Sequence, residues 1–338
     1  MTEPHRTLAA AVLLTFSLAT AVCFVSNNLN SRRQHLDETV AQQIALISGA
    51  PLVFDGQPSN VPEFRNRVLF PFVMVGVARA TELADREAFL LVRWLSAVLC
   101  FGTLLWFAIV VVGNDVAASA LAALLLAMFF VVSFNHPWEH PTDFPDATAM
   151  VLGAWAAIRR RVWPAVIVAA VAAANRESAA FIGVLWIAVT TRDDASRPKR
   201  VMQGMAIMLV AVSVTLALRL VFDMRSARVV NSIAGNSVSA MLATAANRPF
   251  MSWLMLLVAS LAPALAVIGA TWPRVSAVGR RIIVAGLCVA AASLVIGSPE
   301  EIRIIAPAAA MLVCGLVVSD IRESQPNNGS RSLTNHRQ

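Results

Sequence analysis

The chain has 338 residues, of which 58% are hydrophobic and only 14% are charged. Soluble domains carry roughly 45–50% apolar and about 25% charged residues, so the composition excludes an ordinary soluble protein. The net charge of +7 does not indicate nucleic acid binding, because the positive residues form short clusters between apolar runs rather than one basic domain. Those apolar runs recur along the chain and predict an all-α, polytopic transmembrane helical bundle.

The amino-terminal part combines a first span with a long polar loop. Residues 7–26 are predicted to form an uncleaved first helix, since many further apolar runs follow them. Residues 27–67 form a polar segment much longer than an ordinary interhelical connection. Within this segment, residues 34–48 place apolar side chains on one helical face, which predicts an amphipathic helix suited to the membrane interface.

The next apolar run, residues 68–80, is short and contains Pro71. A run of about 10–14 residues is more typical of a re-entrant or interfacial segment than of a span, so a re-entrant half-helix is predicted here. Polar residues 320–338 are predicted to form a disordered cytoplasmic tail after a single bundle over 1–319. The further predicted spans are 88–112, 116–132, 147–158, 162–174, 179–190, 201–222, 251–270, 282–297 and 304–319.

Basic clusters at 159–161, 192–200 and 274–281 all fall on one side if each predicted run crosses. The positive-inside rule makes that side cytoplasmic. The loops at 27–67 and 133–146 are then extracytoplasmic. The bundle has ten spans if residues 68–80 do not cross, and eleven, with an external amino terminus, if they do.

The sequence Asn175-Arg176-Glu177-Ser178 separates two apolar runs. Ionisable groups within a bilayer are costly, usually face the bundle interior and often mark a substrate or ion path. A tight turn with solvated charges, or a buried structural ion pair, are the alternatives.

The loop at 133–146 contains His136, Glu139, His140, Asp143 and Asp146. Histidines and carboxylates together permit acid–base chemistry or metal binding, although these histidines match no defined metal spacing. Asp146 is also well placed to be the N-cap of the following span.

Two arginines, Arg65 and Arg67, precede the short apolar run. They are suited to holding a phosphate. Equally, they are suited to extending towards lipid headgroups at the membrane surface.

Four short motifs resemble a bacterial family of polytopic membrane proteins related to the GT-C glycosyltransferases, whose signatures read "YDLP … ALNRET", "RYRVLVP" and "E-x-R". The matching segments are Asp143-Phe144-Pro145, Asn175-Arg176-Glu177-Ser178, Arg65-Asn66-Arg67-Val68-Leu69-Phe70-Pro71, and Glu301-Ile302-Arg303 followed by Ala306-Pro307. The chain departs from the pattern because it has no tyrosine, so Thr142 precedes Asp143, and its first loop has no DxD-type pair.

The resemblance implies a GT-C-like enzyme in the bacterial inner membrane that transfers a sugar from a polyprenyl-phosphate-linked donor to an extracytoplasmic acceptor. Asp143 is then the candidate base or metal-linked carboxylate, and a divalent metal ion is a candidate cofactor. The other candidate site residues are Arg65, Arg67, Asn175, Arg176 and Arg303 for the lipid phosphate, with Glu177 and Glu301 orienting the arginines. The rival readings are a secondary transporter of an anionic substrate and a non-catalytic scaffold or lipid-binding assembly factor.

The predicted topology can be tested by cysteine accessibility. A cysteine introduced at His140 should react with a membrane-impermeant reagent added from the extracytoplasmic side only, because the basic clusters place this loop outside. Labelling from the cytoplasmic side would contradict both the topology and the proposed location of Asp143.

Overall fold

The computed structural model describes residues 3–29, 33–48, 52–54, 57–59, 67–133, 142–191, 196–221, 248–296 and 305–318. Over these residues the chain is almost entirely helical, which confirms the predicted helical fold class. The α-helices are α1 (Glu3–Leu29), α2 (Arg33–Ser48), α3 (Leu69–Thr81), α4 (Asp85–Trp106), α5 (Val116–Ser133), α6 (Asp143–Ile158), α7 (Val162–Ala173), α8 (Phe181–Thr190), α9 (Arg197–Val221), α10 (Arg248–Thr271), α11 (Ala277–Ile296) and α12 (Ala306–Val317).

The structure adds local features to the predicted elements. Helix α4 continues as a π-helical segment, Phe107–Val112, and α8 is preceded by a 3-10 turn, Glu177–Ala180. A two-stranded antiparallel hairpin, β1 (Leu52–Phe54) and β2 (Gln57–Ser59), lies in the long first loop. The sequence did not suggest this hairpin, because each strand has only three residues and so shows no period-two pattern.

Within the described ranges, five helical segments are long and apolar enough to cross a membrane: His5–Val25, Asp85–Val112, Val116–Ser133, Arg197–Val221 and Leu257–Arg274. These segments support a helical membrane protein. Other apolar helices are shorter, and α7 has only 12 residues. At 1.5 Å per residue, α7 is about 18 Å long, which is well below the roughly 30 Å of a bilayer's hydrocarbon core.

The main core is formed by buried faces of α1, α4 to α9, α11 and α12. A group of phenylalanines occupies it near the start of α6. The ring of Phe144 lies 4.6 Å from Phe130 and 6.5 Å from Phe101, measured between centroids. Because Phe144 directly follows Asp143, this packing fixes the position at which α6 begins.

A second, separate apolar cluster joins α2, α3 and α4. Val40 of α2 is buried in it with Phe70 of α3 and Phe89 of α4, and the last two rings lie 5.5 Å apart. The apolar face predicted for residues 34–48 is therefore covered at Val40 by protein, rather than lying only against lipid.

Helices α8 and α9 approach each other closely at Gly183 and Gly204. A Cβ added at Gly183 would lie 2.5 Å from the carbonyl oxygen of Gly204, and one added at Gly204 would lie 2.9 Å from the carbonyl oxygen of Gly183. Neither atom is a flexible side-chain end, so a methyl group at either position would push the two backbones apart. This contact helps to hold the 3-10 turn before α8 against α9.

Gly204→Ala should therefore destabilise the protein by about 1–3 kcal/mol, the usual cost of overpacking. Gly76→Ala in α3 is the matched control, because a Cβ there meets nothing within 4 Å. Thermal unfolding of both purified variants in detergent measures the difference. Equal unfolding temperatures for the two variants would contradict the close crossing.

Candidate functional site

The candidate site is built around an interruption between α7 and α8. Helix α7 ends at Ala173, and the backbone amides of Asn175 and Arg176 both donate to the carbonyl of Ala172, at 2.9 and 2.8 Å. Arg176 itself is extended, with φ −163° and ψ 150°, before the 3-10 turn begins at Glu177. This single extended residue redirects the chain, so Glu177 and Ser178 do not continue the helical register of α7.

Helix α6 brings two carboxylates to the same place. It begins at Asp143, with Thr142 in the N-cap position, so Asp146 is the fourth helical residue. The expectation that Asp146 is the N-cap was therefore wrong. Pro145 explains the earlier start, because proline is tolerated in the first turn, where its missing N–H has no intrahelical partner anyway. Both carboxylates then benefit from the partial positive charge of the helix amino terminus.

Two hydrogen bonds tie three distant chain segments together at this point. The backbone N–H of Leu69, at the start of α3, donates to the carbonyl of Ala174 at 3.0 Å. The side-chain amide of Asn175 donates to the carbonyl of Thr142 at 2.8 Å. The first bond pairs an end group of α3 with one of α7, satisfying groups that a helix leaves without intrahelical partners.

An inner cluster consists of Asp143, Asp146, Arg176 and Ser178. The Arg176 Nη1 donates to the Asp143 Oδ1 at 2.7 Å and lies 3.9 Å from the Asp146 Oδ2. The Ser178 hydroxyl lies 2.7 Å from both Asp146 carboxylate oxygens. Both aspartates are fully buried and Arg176 is 5% exposed, so the cluster is a charged network within the protein interior.

An outer cluster consists of Arg67, Glu177 and Arg219. Glu177 Oε1 accepts a hydrogen bond from Arg219 Nη2 at 3.1 Å, and Glu177 Oε2 lies 3.9 Å from Arg67 Nη2. Their side chains are partly exposed: 35% for Glu177, 25% for Arg219 and 12% for Arg67. Arg67 and Glu177 also act electrostatically on Asp146, so the outer cluster lies close to the inner one.

The two clusters balance in charge when all their carboxylates are ionised. The inner cluster has two carboxylates and one guanidinium, for a charge of −1, and the outer cluster has two guanidiniums and one carboxylate, for a charge of +1. A buried charge is tolerated when it is paired and hydrogen-bonded. The site therefore consists of two buried aspartates next to a more accessible outer cluster with a net positive charge.

The structure brings together five of the eight site residues predicted from the sequence: Arg67, Asp143, Asn175, Arg176 and Glu177. The other three, Arg65, Glu301 and Arg303, lie outside the described residues. Glu177 contacts Arg67, as expected for a residue that orients an arginine. It also contacts Arg219, which was not predicted as part of the site.

Arg219 and Ser178 are functional candidates that were not predicted from the sequence, whereas Asp146 was expected either to be a cap or to belong to the group of acid–base or metal-binding side chains in its loop. A signal for Arg219 was present, because it is the only charged residue in the apolar run 201–222, and such residues usually face a bundle interior. Ser178 had no comparable signal, since serine is common at turns and helix starts.

Among the described residues, no group of three or more His, Cys, Asp or Glu side chains is arranged to hold a metal ion. The Asp143 and Asp146 carboxylates instead interact with Arg176 and Ser178.

Comparison of the chain with protein-family models, with curated proteins and with solved structures finds no match. The resemblance to GT-C-related proteins therefore depends on the short sequence motifs alone.

The inner cluster predicts an asymmetry in stability. Arg176→Ala should lower the free energy of unfolding by about 3–5 kcal/mol, because it removes the guanidinium that pairs with the buried Asp143 carboxylate and lies 3.9 Å from Asp146. Asp143→Asn should cost less, about 1–2 kcal/mol, since Asp146 remains within 3.9 Å of Arg176. Denaturant unfolding in detergent compares the two variants.

The control for this comparison is Arg86→Ala. Arg86 forms an exposed pair with Asp37 at 3.5 Å, which should contribute only about 0–1 kcal/mol. The buried network would have no stabilising role if Arg176→Ala and Arg86→Ala unfolded alike.

Proposed function

We propose that this protein is a membrane glycosyltransferase with a GT-C-like bundle of ten spans and a re-entrant half-helix at α3. It transfers a sugar from a polyprenyl-phosphate-linked donor to an acceptor at the extracytoplasmic face of a bacterial inner membrane. The observation that carries the proposal is the pair of arginines on Glu177, Arg67 and Arg219, of which Arg67 also acts electrostatically on the buried Asp146 carboxylate.

This combination of groups suits sugar transfer from a phosphate. The reaction needs a base to take a proton from the acceptor hydroxyl, and positive charge to stabilise the departing phosphate. Arginine is well suited to the second task, because its planar guanidinium remains charged and donates two parallel hydrogen bonds to phosphate oxygens. The partly exposed outer cluster is the more accessible of the two charged groups.

The proposed reaction proceeds in one displacement. The acceptor hydroxyl gives its proton to the Asp143 carboxylate while its oxygen forms a bond to the anomeric carbon of the sugar. The bond between that carbon and the phosphate oxygen breaks, and the phosphate keeps the electron pair. Arg67 and Arg219 stabilise the new negative charge, while Arg176 holds Asp143 through the 2.7 Å bond.

A second candidate, a secondary transporter of an anionic substrate, is favoured by one observation: the α7–α8 segment is interrupted at charged residues. Interrupted helices form substrate sites in many transporters. The two functions differ in their products, because a transporter moves its anion unchanged whereas a transferase breaks the bond between sugar and phosphate.

The test uses the purified full-length protein in nanodiscs with a radiolabelled polyprenyl-phosphate sugar and a cell-envelope acceptor fraction. Asp143→Asn should reduce sugar transfer by at least about 100-fold, the usual contribution of a positioned general base, while the protein stays folded. Asp85→Asn is the control, because Asp85 is an exposed aspartate at the start of α4.

Full specific activity in folded Asp143→Asn would rule out its role as the base. Uptake of an anion into proteoliposomes, without cleavage of the lipid-linked sugar, would favour the transporter instead.

A further inference from the structure

Glu177 lies between two arginines that come from distant parts of the chain. Arg67 precedes α3, whereas Arg219 lies in the last turn of α9. Each guanidinium approaches a different oxygen of the same carboxylate, at 3.9 Å and 3.1 Å. One carboxylate therefore bridges two cations that would otherwise repel each other.

A phosphate group makes the same kind of contact. Carboxylate and phosphate both present two or more oxygens to an arginine fork, so they compete for the same guanidinium. Glu177 is the most exposed of the three side chains, and it starts a short 3-10 turn rather than lying within an α-helix. A rotation of its side chain would therefore withdraw the carboxylate from both arginines.

The inner cluster is electrostatically compatible with this exchange. Glu177 repels the buried Asp146 carboxylate, whereas Arg67 and Arg176 attract it. When Glu177 turns away, a phosphate takes the place of its carboxylate beside Arg67 and Arg219, so one negative group is replaced by another. The total charge next to the arginines changes little during the exchange.

We propose that Arg67 and Arg219 form a binding site for the lipid phosphate and that the Glu177 carboxylate competes with the phosphate for this site. The phosphate binds when Glu177 turns away and is released when Glu177 returns. This inference rests on the proposed function for the identity of the ligand, a phosphate carried by a polyprenyl chain. It assigns Arg219 to the binding site and gives Glu177 a regulatory role. Because the Glu177 carboxylate contacts both arginines in the resting protein, it favours release of the lipid phosphate product.

The exchange predicts that removing the competing charge strengthens binding. Glu177→Gln keeps the size of the side chain and removes its charge. The variant should bind a short-chain polyprenyl phosphate about tenfold more tightly, because the carboxylate no longer competes for a charge-assisted hydrogen bond from the arginines. Arg219→Ala should weaken binding about tenfold, and Arg219→Lys should recover only part of that loss. In the double variant, Glu177→Gln with Arg219→Ala, the gain from the glutamine should largely disappear.

Binding is measured by titrating the full-length protein in phosphatidylcholine nanodiscs with a short-chain polyprenyl phosphate, and in parallel with inorganic phosphate. Glu82→Gln and Arg86→Ala are matched controls, because both residues are exposed. Glu82 directly follows α3, and Arg86 lies in the first turn of α4. Tighter binding of the polyprenyl phosphate than of inorganic phosphate supports a lipid-borne ligand. Equal affinities would overturn that assignment.

Unchanged affinity in folded Glu177→Gln would overturn the competitor role. If that variant does not fold, Glu177→Asp serves instead, because its shorter side chain withdraws the carboxylate from the arginines and should also tighten binding. Failure of this inference differs from failure of the proposed function. Phosphate binding with the expected changes but without sugar transfer would contradict the transferase alone, whereas transfer with unchanged binding would contradict the competitor alone.

Discussion

The structure of the site depends on the electrostatic cost of placing Arg176 in the protein interior. A guanidinium at that depth is tolerated because the carboxylates of Asp143 and Asp146 lie within 3.9 Å of it. The extended backbone at Arg176, the early start of α6 and the hydrogen bond from Asn175 to Thr142 all serve this pairing. Each of them brings a polar group to a point where an uninterrupted helix would have presented only apolar side chains.

The polar residues of the site form two groups whose side chains differ in conformational freedom. The inner cluster is buried and internally bonded, so its side chains are fixed by their partners. The outer cluster is partly exposed, and exposed ion pairs hold their geometry only weakly. The same α7–α8 interruption thus supplies both a rigid anchor, Arg176, and an adjustable charge, Glu177. Under the proposed function, this separation would let a phosphate bind at the outer cluster without disturbing the packing of α6 against the core.

The sequence predicted the helical fold class because apolar runs recur along it, whereas among the described residues only five helical segments are long and apolar enough to cross a membrane. It also predicted that Asp143, Arg67 and the segment from Asn175 to Glu177 lie together, since lone charges among apolar residues restrict where a chain can place them. The partners within that site were not predictable. Whether the Arg176 side chain faces Asp143 or a ligand depends on the extended backbone of Arg176 itself. One extended residue leaves no periodic pattern in the sequence. The contribution of Arg219 depends on how α9 packs against the 3-10 turn.

Helix α7 has a further consequence for the surrounding lipid. Trp163, Ile167 and Val171 form an exposed apolar stripe on it, with 76%, 61% and 54% of their surface accessible, and this stripe is suited to contact with acyl chains. If α7 crosses the bilayer, its length of about 18 Å gives a hydrophobic mismatch, which a bilayer relieves by thinning locally. Thinning next to α7 would lower the headgroup layer towards the α7–α8 interruption. A lipid-borne phosphate would then reach the arginines by lateral diffusion within its own leaflet, without leaving the headgroup layer.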